Sequence, residues 1–122
     1  MDSVQVRGNI YDRGCPSRQV LDRIGDAWSV LVVASLADGP LRYSELAARV
    51  DGVSPKMLTQ TLRGLERDGL VERTVHPVVP PRVDYELTRL GRSLLGVVAA
   101  LEEWAESNID EVLAARAGYD AR

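Results

Sequence analysis

One side of the helix-like stretch Ser54 to Asp68 carries five side chains of the kinds that bind polyanions: Lys56, Thr59, Gln60, Arg63 and Arg67. At about 100° per residue around a helix, all five fall between about 100° and about 200° from Leu58, with no acid among them. Leu62 and Leu65 lie within about 40° of Leu58, with Ser54 and Thr61 near them, so the opposite face is built for a core. Arginine and lysine can reach phosphates or guanine edges, glutamine can pair with adenine, and threonine can donate or touch a thymine methyl. A merely solvated amphipathic helix would show the same division, so the neighbouring elements must decide between the two.

Ser54 is a favoured N-cap and Pro55 a favoured first helical residue, and Asp68-Gly69 ends the helix. Before it, a short helix from about Tyr43 to Val50 buries Leu46, Ala47 and Val50 and stops at Asp51-Gly52. Earlier still, Pro16 opens a helix to about Ile24, and Asp26 caps the segment AWSVLVVASLA, apolar nearly all round and therefore central. That segment stops at Asp38-Gly39-Pro40. After residue 69 come two strand-like runs, LVERTVH and RVDYELT, joined by PVVPP, which is too long and too proline-rich for a two-residue hairpin turn. Thr88 caps a last helix of about 28 residues, to about residue 117, carrying Leu94, Val97, Val98, Leu101, Trp104, Ala105 and Val112 as an apolar stripe. The order α-α-α-α-β-β-α is mainly α with a small β-hairpin. Two helices across a short glycine turn, followed by that hairpin, form a winged helix-turn-helix. Residues 1–14 lack periodicity and read as an N-terminal arm; residues 15–122 read as the domain with its long C-terminal helix.

The composition narrows the alternatives. A chain of 122 residues with 45% apolar content makes one packed domain. No apolar run spans a membrane and the N-terminus lacks a signal-peptide core, so the expected compartment is the cytoplasm. One cysteine, Cys15, and one histidine, His76, leave neither an internal disulfide nor a cysteine-cluster metal site, and no cofactor motif is present. There is no glycine-rich phosphate loop and no nucleophile–base arrangement, which argues against an enzyme. The net charge of −3 is uneven. Residues 42–92 hold nine Lys/Arg against seven Asp/Glu, whereas residues 93–122 hold two against six. The acid is in the tail and the middle is mildly basic.

Further candidates surround the helix of residues 54–68. Ser54 and Met57 join Lys56, Thr59, Gln60 and Arg63 as contact residues, with core packing the alternative for Met57. Arg42, Tyr43 and Ser44 begin the preceding helix, where free N–H groups suit a phosphate or a simple cap. The wing is placed at His76 to Val83, with Arg82 as its minor-groove or backbone contact and His76 merely solvated. Trp28 and Trp104 read as core or interface residues. Ile10, Tyr11 and Val4 in the arm have no core of their own and suit a partner subunit. The last helix, with Leu94, Val98, Leu101 and Trp104, carries more apolar surface than a monomer of this size covers. Cys15 stands at a helix start between Arg13 and Arg18, both of which favour a thiolate; an inert packed thiol is the alternative.

The chain resembles the HxlR-type winged helix-turn-helix family of bacterial transcriptional regulators. The residues that carry the resemblance are Cys15-Pro16, "IGDAWSVLVVASLADGPLRYSEL" from Ile24, "SPKMLTQTLRGLERDGLVER" from Ser54, "PVVPPRVDYELTRLGRSL" from Pro77, and Trp104. Ala27 departs from the pattern, standing where members often have a basic residue. The resemblance implies a homodimer that binds double-stranded DNA at an inverted-repeat operator. It also implies, in some members, an N-terminal cysteine that senses oxidants or electrophiles. The alternatives are a regulator whose small-molecule effector sits in a pocket between the last helix and the core, which would leave no motif, and a winged-helix protein-interaction module, whose sign would be an acidic or apolar outer face on the helix of residues 54–68.

Overall fold

The computed structural model describes residues 8–122. Helix α1 spans Pro16–Gly25 and α2 Ala27–Ser35, followed by a two-residue strand β1, Leu41–Arg42. Helices α3, Tyr43–Arg49, and α4, Pro55–Arg67, form the helix-turn-helix. Strands β2, Val71–His76, and β3, Arg82–Leu87, form the wing hairpin. Three helical segments complete the chain: α5 Arg89–Arg92, α6 Leu95–Ser107 and α7 Ile109–Asp120.

Each end of α4 has a local cause. Ser54 Oγ accepts the Met57 N–H at 3.1 Å, satisfying one of the free donors of the first turn. Gly69 follows with φ +77°, a left-handed value that ends the helix at little cost only for glycine. Leu58, Leu62 and Leu65 are buried in one cluster with Val32 and Val33 of α2, Leu36 at its C-cap and Leu46 of α3. Burying each leucine of this set stabilises the fold by roughly 1.5–3 kcal/mol. The central placement of α2 follows from its composition, although Leu31 keeps 42% of its surface exposed.

The sheet is antiparallel in the order β1-β3-β2. Strand β1 is not anticipated by the sequence: two residues carry no periodicity, and Leu41 and Arg42 are extended only because they pair with Tyr85 and Asp84. The hairpin strands fall on the two expected runs, one residue short at each outer end, and only the wing loop is narrower than the expected His76 to Val83. His76 pairs with Arg82, so the wing loop is residues 77–81 and Arg82 belongs to a strand.

The expectation of one helix from Thr88 to about residue 117 is corrected. Ser93 turns its hydroxyl back onto the Leu90 carbonyl, and Leu94 N–H bonds Gly91 O at 3.1 Å, one residue short of the α ladder. At Asn108 the side-chain amide takes the Trp104 carbonyl at 2.8 Å and the backbone leaves helical angles, with φ −111° and ψ 8°. Short polar side chains that compete for backbone groups break the run in both places.

Candidate nucleic-acid interface

Lys56, Met57, Gln60, Arg63 and Arg67 are exposed along α4, and Thr59 is half-buried beside them. Met57, 38% exposed, is a surface residue and not part of the core. Among the described residues, Lys56, Arg63 and Arg67 make no ion pair within 4.0 Å, whereas Arg18, Arg23 and Arg82 all do. The outer face of α4 is therefore cationic and uncompensated. Ser54 accepts the cap bond with a lone pair, which leaves its hydroxyl proton for an outside acceptor.

Tyr43 does a different task from its neighbours. It is half-buried, and its hydroxyl donates to the Pro55 carbonyl at 3.1 Å and lies 3.5 Å from Thr59 Oγ1. It thereby ties the start of α3 to the start of α4. Arg42 and Ser44 are exposed, and Arg42 N–H is capped by Glu45 Oε1 at 2.8 Å.

The pairing of Arg42 with Asp84 across β1 and β3 carries the start of α3 to the wing. Arg42, Tyr43 and Ser44 then share one shallow depression with Val78, Val79 and Arg82. The cation and hydroxyls of residues 42–44 thus meet a second cation, Arg82, some forty residues away in sequence, on one surface beside α4. Arg82 is only half available. Its Nη2 lies 3.5 Å from Asp84 Oδ2, and its Nε is buried with no hydrogen-bond partner among the described residues. His76, expected to be merely solvated, bonds the same carboxylate oxygen at 2.8 Å. His76, Arg82 and Asp84 share the sheet face because alternate residues of paired strands do.

Arg23 is a positioning residue that the sequence did not reveal. Its Nε lies 3.0 Å from Asp68 Oδ2 at the C-cap of α4, 45 residues away, and its guanidinium covers Gly64. Nothing local in α1 signals this, because the partner comes from another helix.

The candidate interface residues divide. Tyr11 is 87% exposed, Leu101 51% and Trp104 63%, whereas Val98 is buried in the core and Leu94 packs half-buried against it. Val97 and Leu113 add exposed apolar surface to the same C-terminal segments. Val4 lies outside the described residues. Cys15 is fully buried at the N-cap of α1, and Arg18 is turned to Asp22 at 3.2 Å instead of resting as a lone cation near the thiol. The space between α6 and the core, lined by Ile24, Val30, Leu65 and Val98 among others, amounts to about 10 Å³, about enough for one water. Among the described residues no group of acidic, histidine or cysteine side chains is placed to hold a metal, and no helix is long and apolar enough to cross a membrane.

The sequence profile of the HxlR-like helix-turn-helix family matches residues 23–113. The chain belongs to the HxlR-like family. Among its relatives, the uncharacterised HTH-type transcriptional regulator YtfH of Escherichia coli is 48% identical over 109 residues, 89% of this chain and 86% of that protein. A transcriptional regulator ytfH from Salmonella typhimurium superposes with a TM-score of 0.83 at 48% identity, covering 89% of this chain and 97% of that one. The redox regulator HypR in its oxidised form is similar at 41% identity and a TM-score of 0.72, covering 77% of this chain and 97% of that one. This HxlR-like chain is therefore a transcriptional regulator of helix-turn-helix type with a winged-helix fold. No enzymatic activity is indicated for such regulators.

Proposed function

We propose that this HxlR-like protein acts as a cytoplasmic homodimer that reads an inverted repeat in double-stranded DNA, placing α4 of each protomer in the major groove. The observation that carries the reading is the outer face of α4, where Lys56, Gln60, Arg63 and Arg67 are exposed without an ionic partner among the described residues. Ser54, Met57 and Thr59 stand at the same N-terminal end, the part of a recognition helix that meets base edges in the usual docking. Arg42, Ser44 and Arg82 flank this end and suit backbone phosphates. The exposed Leu101 and Trp104 supply an apolar surface for a second protomer, with Tyr11 of the arm beside the start of α1. Two-fold pairing of recognition helices calls for half-sites about one helical turn apart.

The test is a gel-shift titration on duplexes recovered from fragmented genomic DNA. Lys56→Ala or Arg63→Ala should each weaken specific binding by about 1–3 kcal/mol with the melting temperature nearly unchanged. Unchanged binding in both variants would remove α4 as the reading element.

Thiol sensing is a second reading, favoured by the likeness to a redox regulator. With one cysteine in the chain, oxidation would yield an intersubunit disulfide, a mixed disulfide or a modified thiol. Because Cys15 is fully buried, an oxidant or electrophile must first uncover the start of α1. A gel shift with and without diamide decides this, with Cys15→Ser as control. Equal responses of the two proteins would exclude Cys15 as the sensor.

A further inference from the structure

Between α4 and the wing lies a cleft of about 350 Å³, which shares Thr59 and Arg63 with the outer face of α4 and is separate from the depression beside Arg82. One wall is Thr59, Arg63 and Glu66, three turns of one side of α4, with Leu62 beneath them. The other wall is Arg73 and Tyr85, which are cross-strand partners on β2 and β3 and so project from one face of the sheet. Arg73 is exposed and Tyr85 half-buried. Among the described residues neither Arg63 nor Arg73 makes an ion pair, and the Tyr85 hydroxyl has no hydrogen-bond partner. Two guanidinium groups face one carboxylate, so the cleft has an excess of positive charge and an idle hydroxyl donor.

A winged helix-turn-helix with α4 in the major groove brings its wing to an adjacent minor groove. What divides those two grooves is a sugar-phosphate strand, and it must cross between helix and wing. Among the described wall residues, those that can neutralise it are Arg63 and Arg73. We propose that Arg73, with Tyr85 beside it, holds a backbone phosphate of that strand, while Glu66 opposes the contact and limits its strength. The inference rests on the DNA-binding reading above. Arg73 is a positioning contact in this scheme: it fixes the register of helix and wing on the duplex and carries no base preference.

The experiment measures affinity for the recovered operator and for a random-sequence duplex across about 50 to about 200 mM salt, using the full chain. Releasing one counterion per phosphate changes the slope of log K against log salt by about 0.9 for each bound protomer, equivalent to roughly 3.5-fold over that range and roughly eightfold at about 0.1 M. Arg73→Ala should show that flatter slope and that loss on both duplexes alike. Glu66→Gln should tighten both, and Tyr85→Phe should weaken both by less than Arg73→Ala. Thermal melts confirm folding, and since Arg73 and Glu66 are exposed both variants should retain it. If wild type binds neither duplex, the DNA-binding reading itself fails. If wild type binds with a steep salt slope and neither Arg73→Ala nor Glu66→Gln moves it, the cleft assignment alone falls. A loss for Arg73→Ala confined to one base pair would also overturn it, since the residue would then read sequence.

Discussion

Gly91→Ala should destabilise the protein even though alanine is the better helix former. A Cβ at residue 91 would sit far inside van der Waals contact with the Leu70 carbonyl oxygen, 3.0 Å from the Leu70 carbonyl carbon and 3.2 Å from Leu87 Cδ2. The obstacle is backbone, and it cannot rotate away. The same carbonyl accepts Thr88 N–H at 3.1 Å, while Thr88 Oγ1 donates to Gly69 O at 2.6 Å and accepts Gly91 N–H at 3.0 Å. This joint fastens the turn after α4 to the start of the C-terminal helices.

The opposing terms can be weighed. Replacing glycine by alanine in a helix gains at most about 1 kcal/mol, and less in a segment as short as α5. Overpacking a rigid site costs about 1–3 kcal/mol, and displacing the Thr88–Leu70 bond costs about 0.5–1.5 kcal/mol more. The net loss is about 0.5–4 kcal/mol, a fall of roughly 2–20 °C in melting temperature for a chain between the usual small and medium sizes. Gly118→Ala is the control: among the described residues nothing beyond its chain neighbours and its own helix backbone lies within 4 Å of the added carbon, so only the propensity gain applies and the melt should rise slightly. Thermal denaturation followed by far-ultraviolet circular dichroism reads both. If Gly91→Ala melts at or above wild type, the close approach of residues 70 and 91 is refuted.

Arg82→Ala should lower affinity for specific and random DNA alike and flatten the salt slope by about 0.9 per protomer. Asp84→Asn, which releases Arg82 and His76 from their shared carboxylate, should raise affinity in the same gel shift; a fall would show that the carboxylate positions Arg82 usefully. Trp104→Glu should yield folded monomers in light scattering, because the side chain is 63% exposed in the protomer; unaltered dimers would move the interface elsewhere. Alkylation of Cys15 in the folded protein should be slow and should accelerate sharply in denaturant; equal rates would contradict its burial.

Much of this architecture is legible in the sequence because its signals are local. Ser54-Pro55 and Asp68-Gly69 mark α4 to within a residue, and the leucine period gives its buried face. What was not legible depends on partners distant in the chain. Strand β1 exists through its register with β3, Arg23 finds Asp68 across 45 residues, and His76 acquires Asp84 only when the hairpin closes. The continuous apolar stripe after Thr88 hides two breaks, since Ser93 and Asn108 interrupt the backbone without interrupting the hydrophobic period. Val98 shows the same limit: the stripe contains both core and surface positions, and sequence spacing alone does not divide them.

The polar contacts around α4 explain why its outer face is left open. Its first turn is held by Ser54 and by the Tyr43 hydroxyl on the Pro55 carbonyl, and its last turn by Arg23 on Asp68. The loop beyond it is held by Thr88 on Gly69. Each of these bonds uses a residue on the inner side or at an end of the helix. None uses Lys56, Gln60, Arg63 or Arg67. A helix fixed at both ends loses little further backbone freedom when it meets a ligand, so contacts made by the outer side chains need offset only their own rotamer entropy. The same reasoning separates the two wing cations. Arg82 is already paired with Asp84 and must exchange one anion for another, whereas Arg73 has no ionic partner among the described residues to give up. On that ground Arg73→Ala should cost more DNA affinity than Arg82→Ala, although Arg82 is the residue whose loop position advertises it.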